Sequence, residues 1–287
     1  MKDGNQPEHP DRRAAILMFA IGLLLPATTA TGAVVPIPAK GASSRVDAIR
    51  QRGVLRVAVL DEYPWLKQNH GQTGEPFQGA AWVLAKEYAR RLGVRLQTVP
   101  VDFDAKITIL ARDGADITIA PLLVTPARRA QVDIVSYSVS AQCLFGRADN
   151  PKVARATRID DLDRPDVTVA YNVGSPQGSW ILNRVPRAKR LSVRGNLANV
   201  PVDAIMSGRA DVTTIDKYFF KGLSERTPGL VSVPKDAGCL RSTELPIPIG
   251  LAVSKGQPAF FAFLQNVARQ IRPRLDAEQA RVEKFGS

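Results

Sequence analysis

The sequence predicts an α/β protein made of two similar lobes. Two observations carry this. Alternating, β-branched strand segments are interleaved with helical segments in both halves of the chain. In addition, a short helix–turn–strand unit occurs twice: ILARDGADITIA (Ile109–Ala120) is echoed by AIMSGRADVTTI (Ala204–Ile215). In each copy a helix closes at a glycine-containing turn and Ala-Asp opens a strand. Strands alternating with helices predict a largely parallel sheet with covering helices.

The elements follow in order. Val46–Arg52 reads as a helix ending at Gly53, and Leu55–Leu60 (LRVAVL) as a strand. Ala81, Leu84, Ala85, Tyr88 and Leu92 recur at helical spacing, with Gly93 where a C-capping glycine belongs. Val94–Val99 alternates as a strand. A helix through Ile107 and Leu110 leads to a strand at Asp116–Ala120. In the second half Val167–Tyr171 is a strand. Ser175 then fits a helix N-cap, with Pro176 at the first helical position. A strand near Leu191, a helix at Val202–Met206 and a strand at Asp211–Ile215 follow. Pro248–Val253 is a last strand, and Phe260, Leu264, Val267 and Ile271 form the apolar stripe of a closing helix.

Ahead of the fold, Arg12-Arg13 precede the apolar run Ala14–Pro26, and the small residues Ala27–Ala33 follow. Basic, apolar, then small is the pattern of a secretory signal peptide, and the run is too short to span a bilayer as a helix. Residues 1–33 are therefore expected to be removed on export, leaving 34–45 as a Pro- and Gly-containing leader.

The formal net charge is +12, but Lys and Arg are dispersed, so no nucleic-acid patch is indicated. The two histidines, His9 and His70, and the two cysteines, Cys143 and Cys239, have no metal-binding spacing. No cofactor or metal is expected. In an oxidising compartment the cysteines form either a bridge or two buried thiols.

From RGVLRVAV (Arg52–Val59) with Tyr63-Pro64-Trp65, through VDFDAKI (Val101–Ile107) and GADITIAPLLVTPARRAQVD (Gly114–Asp133), to Gly174-Ser175 and GRADVTTID (Gly208–Asp216), the chain resembles the family 3 extracellular solute-binding proteins of amino-acid importers. The resemblance implies two α/β lobes joined by two crossover strands with a ligand cleft between them, the type II periplasmic binding protein fold. It places lobe 1 at residues 46–137 and 246–287, and lobe 2 at 138–245. Both cysteines then fall in lobe 2, which favours a disulfide.

The resemblance also implies roles. Arg128, in T-P-x-R, matches the arginine that holds the ligand carboxylate through its planar fork. Asp216 matches the aspartate that holds the α-ammonium. Ser175 opens a helix whose N-terminus favours an anion. Tyr63 and Phe103 match the aromatic walls, with Trp65 a nearby substitute for Tyr63.

The sequence departs from the family at Pro121-Leu122-Leu123, where hydroxyl residues often stand. Ala127 stands where glutamate is common, and Pro176 removes an N–H. These changes admit an organic acid or a modified amine as ligand. The expected function is the periplasmic binding component of an ABC importer. It would be a monomer, partnered by its ligand and an inner-membrane permease. The alternatives are a cyclohexadienyl dehydratase-like enzyme or a sensory module. Asp61, Glu62 and Asp102, the acidic groups an enzyme could use, read as solvated turn residues.

Overall fold

The computed structural model describes Met1 and residues 35–69, 74–173, 175–193, 200–235 and 237–285. The expected signal peptide, His9, His70 and Gly174 lie outside the described residues. No described helix is long and apolar enough to cross a membrane.

One mixed sheet organises the chain. Its strands are β1 (Val54–Val59), β4 (Arg95–Pro100), β5 (Ile117–Leu123), β6 (Val132–Arg147), β7 (Thr168–Asn172), β8 (Lys189–Val193), β9 (Val212–Asp216), β10 (Leu230–Val233) and β11 (Glu244–Ser254). The small strands β2 (Lys67–Gln68) and β3 (Phe77–Gln78) pair separately. The order is β4-β1-β5-β11-β6-β9-β7-β8, with β10 also on β6. The sheet is not largely parallel as the sequence predicts. β4, β1 and β5 are parallel, as are β9, β7 and β8, but β5, β11, β6 and β9 meet antiparallel. The cause is the long pair β6 and β11, which runs from one parallel set to the other as an antiparallel ribbon.

The repeated unit has a physical basis. In the first copy Asp113 takes the left-handed conformation at φ 55°; in the second, Gly208 takes it at φ 70°. Asp and Gly tolerate this conformation better than most residues. Each copy then uses its Ala-Asp in the same way. The Asp116 N–H donates to the Arg56 carbonyl at 2.9 Å, and its carboxylate accepts from the Arg56 N–H at 2.8 Å. The Asp211 N–H donates to the Thr168 carbonyl at 2.8 Å, and its carboxylate accepts from the Thr168 N–H at 2.7 Å. The aspartate thus fixes the start of the neighbouring parallel strand in both halves.

The elements close as their residues dictate. Ser43 caps the helix Ser44–Arg52, and Gly53 ends it at φ 69°. The helix Ala80–Leu92 ends at Gly93, φ 70°. At Gly79 (φ 109°) a Cβ would lie 2.4 Å from the Trp65 carbonyl oxygen, so the chain passes there only with glycine.

The buried apolar side chains divide between the two halves. Leu55, Trp65, Leu84, Tyr88, Ile117, Phe260 and Leu264 pack with the first parallel set. Val153, Leu162, Val169, Ile181 and Val212 pack with the second. Tyr218, just after β9, packs with the first group. It meets Trp65 edge-on at 5.1 Å between ring centroids and Tyr63 at 6.4 Å. Cys143 on β6 and Cys239 in the short helix Ala237–Leu240 are disulfide-bonded, with Cα atoms 5.5 Å apart.

Candidate functional site

A cavity of ≈ 780 Å³ opens where strands of both halves end. Glu62 and Tyr63 reach it from the loop after β1, and Leu123 from the end of β5. Gln142 enters from β6, Asn172 and Ser175 from the end of β7 and the helix after it, and Asp216 from the end of β9. Ligands sit at such carboxyl ends in open α/β sheets.

Asp216 is 9% exposed. One carboxylate oxygen accepts from the Ser140 hydroxyl at 2.5 Å and the other from the Tyr218 N–H at 3.0 Å. Burial is the largest influence and raises its pKa, against these two bonds and the charge of Lys217. The Lys217 ammonium lies over the Tyr218 ring instead, 4.9 Å from its centroid. Asp216 therefore offers the cavity a carboxylate that lacks a bonded basic partner among the described residues. A buried charge of this kind calls for a cation.

Ser175 acts as the N-cap the sequence predicts. Its hydroxyl accepts from the Gly178 N–H at 2.9 Å and donates to the Asn172 carbonyl at 2.9 Å. Tyr63 lines the cavity, and its hydroxyl donates to the Glu283 carbonyl at 3.2 Å. Trp65 is buried in the core, with its indole N–H bonded to Ser138 at 3.0 Å, and is no substitute wall.

The other two expected residues are not among those lining the cavity. Phe103 is 61% exposed, with the Lys106 ammonium 4.5 Å from its ring centroid. Arg128 stands in the short helix Pro126–Gln131, whose N-cap Thr125 accepts the Arg128 N–H. Its guanidinium donates to the Leu123 carbonyl at 3.0 Å. Burial lowers its pKa and the charge of Glu62 raises it, so Arg128 lies within electrostatic reach of the cavity wall.

Glu62 is not the solvated turn residue the sequence suggests. Its side chain is 12% exposed and paired with Lys106, which is 3% exposed and also donates to the Pro121 carbonyl at 3.0 Å. Burial raises the Glu62 pKa, against Lys106 and Arg128; burial also lowers that of Lys106, against Glu62. Asp102, by contrast, is an exposed turn residue that accepts the Ala105 N–H at 2.8 Å. Sequence reasoning missed Lys106 because a lysine in a short helix ordinarily faces water.

Replacing Lys106 by Met is expected to destabilise the protein by about 1–3 kcal/mol, the cost of a buried group left without its partner. The loss stays below that of a fully trapped charge because Glu62, with its raised pKa, can take up a proton. Lys106→Met with Glu62→Gln should recover part of it. Denaturant unfolding of the single and double variants measures both.

A chain of hydrogen bonds runs from Trp65 to Tyr218, which lines the cavity. Trp65 donates to Ser138 (3.0 Å), Ser138 to Gln279 (2.5 Å), Gln279 to Tyr218 (3.1 Å) and Tyr218 to Glu283 (2.7 Å). The C-terminal helix Arg272–Phe285 thereby ties the segment after β9 to the first half.

Residues 55–280 match the model of the bacterial extracellular solute-binding proteins, family 3. Among solved structures, an ancestral cationic amino acid solute-binding protein is similar at 26% identity, over 83% of this chain and 99% of that one, with a TM-score of 0.55. A mutant of arginine-bound ArgBP from T. maritima is similar at 25% identity, over 79% and 99%, with a TM-score of 0.54. Curated relatives include the membrane-bound lytic murein transglycosylase F of Aeromonas hydrophila, 30% identical over 60% of this chain and 34% of that protein. The cyclohexadienyl dehydratase of Pseudomonas aeruginosa is 25% identical over 66% of this chain and 69% of that protein. The chain spans about a third of the length of the transglycosylases it matches first.

Proposed function

Because the chain belongs to the bacterial extracellular solute-binding proteins of family 3, we propose that it is the exported substrate-binding component of an ABC importer. It would hold a free amino acid between two lobes, residues 46–137 with 246–287 and residues 138–245. The observation that carries this reading is Asp216, a buried carboxylate in the cavity wall without a bonded basic partner among the described residues. An α-ammonium supplies the missing charge. The Arg128 guanidinium, which donates to the Leu123 carbonyl and has no carboxylate bonded to it among the described residues, suits the α-carboxylate once the ligand draws the two halves together. The ancestral cationic amino acid solute-binding protein and arginine-bound ArgBP add support. Tyr63 supplies an aromatic wall, and Phe103 would have to turn inward to supply another.

Arg128→Ala is expected to weaken amino-acid binding at least tenfold, and Arg129→Ala far less. Arg128 is half-buried and Arg129 exposed, and a rim charge mainly alters association rate and salt dependence. Calorimetry on both variants checks this, and equal effects would remove Arg128 from the site. The importer role is tested by uptake: a strain lacking the protein should lose high-affinity uptake of the ligand that calorimetry identifies.

A second reading, dehydratase activity on prephenate or arogenate, has one observation in its favour. Glu62 is a second cavity carboxylate with a raised pKa. Its engagement by Lys106 speaks against proton transfer there, and a turnover assay on both substrates decides.

A further inference from the structure

We propose that Gln142 and Asn172 form an uncharged hydrogen-bonding subsite in the cavity wall, which holds a neutral polar side chain of the ligand, a carboxamide or hydroxyl. This deepens the amino-acid reading and rests on it.

Gln142 is 1% exposed and lines the cavity, yet its side-chain amide nitrogen has no hydrogen-bond partner among the described residues. A buried donor left unpaired is costly, so its persistence at a cavity wall points to a partner that arrives with the ligand. Its backbone is occupied: the carbonyl accepts from Ser242, and β6 pairs Gln142 with Asp216 and Glu244. Directly paired residues share a face, with Cβ atoms about 4.5–5.5 Å apart. The free amide thus stands beside the carboxylate assigned to the α-ammonium.

Asn172 gives the matching observation two strands away. It lines the same cavity, and its side-chain oxygen is buried without a partner among the described residues. Its backbone carbonyl already takes the Ser175 hydroxyl. The wall therefore offers a donor at Gln142 and an acceptor at Asn172, on either side of Asp216.

Charge does not select against this class. Asp216 is assigned to the ammonium and Glu62 is paired with Lys106, and the remaining charged residues in the lining, Lys67, Lys221 and Arg226 beside Asp61 and Glu225, are of both signs. The two orphaned atoms are uncharged and call for a neutral polar partner. A carboxamide or hydroxyl both accepts and donates, and satisfies the two orphaned atoms without adding charge.

The test titrates the full mature protein with L-glutamine, L-asparagine, L-serine, L-methionine, L-glutamate, L-arginine and L-lysine by calorimetry, in wild type and in Gln142→Leu. Wild type should bind L-glutamine, L-asparagine or L-serine at least tenfold more tightly than the charged amino acids. Gln142→Leu should cut that affinity tenfold or more relative to L-methionine, because a site built to hydrogen-bond a polar group discriminates through it. The ligand-free variant should melt no lower than wild type, since the orphaned donor is removed. A preference of wild type for L-arginine, L-lysine or L-glutamate overturns the subsite and leaves the amino-acid reading intact. So does an unchanged preference over L-methionine in Gln142→Leu. If that variant fails to fold, the wild-type ranking decides. Failure of all these amino acids to bind overturns the subsite together with the reading beneath it.

Discussion

Asp216→Asn is expected to abolish amino-acid binding while leaving the ligand-free protein as stable as wild type or more so. Losing one partner of a desolvated charge pair costs about 2–5 kcal/mol, roughly 30- to several-thousand-fold in affinity. The stability effect has the opposite sign because the fold raises the Asp216 pKa. A carboxyl whose folded value exceeds its unfolded value helps the fold below the unfolded value. That help is lost as pH rises through the folded value. At neutral pH the ionised group is therefore a burden, which asparagine removes while keeping an acceptor for Ser140 or the Tyr218 N–H. Wild-type affinity should fall as pH drops through the raised value, with proton release on binding, and Asp216→Asn should lose that slope. Calorimetry in buffers of different ionisation enthalpy, with thermal melts of the ligand-free proteins, measures both arms. Tight binding by the variant would move the ammonium site elsewhere.

Opening the disulfide is expected to lower the stability of the second half by about 4–5 kcal/mol, on the chain-entropy model for a loop of this size. Cys143 and Cys239 are 96 residues apart in sequence, and the loop they close contains β7, β8, β9 and β10. Both cysteines are buried, at 0% and 1% exposure, so reductant reaches them only on opening. Denaturant unfolding of the Cys143→Ala, Cys239→Ala double variant should show a lower midpoint than the oxidised wild type. Saturating ligand should offset part of the loss by mass action. Coincident curves would mean that the bridge is absent or contributes nothing.

Much of this architecture was legible from residue patterns. The β-branched alternation marked β1, β4, β5, β7 and β9 to within a few residues, and Gly53 and Gly93 marked helix ends. The repeated Ala-Asp unit was legible as a pattern, although its use of the aspartate to hold the next strand required the structure. β6 was not legible. Its 16 residues are buried on both faces over most of their length, which erases the alternation that identifies a strand. With β6 hidden, the antiparallel centre was hidden too. The helix Arg272–Phe285 escaped notice because its buried residues, Leu275 and Val282, are sparse among charged ones.

The site was legible unevenly. Ser175 and Asp216 sit at element ends, where sequence shows them, and both line the cavity. Arg128 and Phe103 were found by resemblance and stand outside its lining, so any part in ligand binding would require movement. Gln142 lies in the middle of an apolar stretch, and Lys106 in a short helix. Only the fold reveals that one is a donor without a partner among the described residues and the other the partner of Glu62.

If the cavity takes a free amino acid through its ammonium, thermal melts of the protein with the common L-amino acids, each beside its 2-hydroxy acid analogue, separate the two ligand classes. At about 100-fold excess over Kd, a binding amino acid should add roughly 2.7 kcal/mol to apparent stability. Tm should rise with at least one amino acid and not with the matching hydroxy acid. An equal rise with the hydroxy acid, or no rise with any amino acid, would contradict binding through the ammonium.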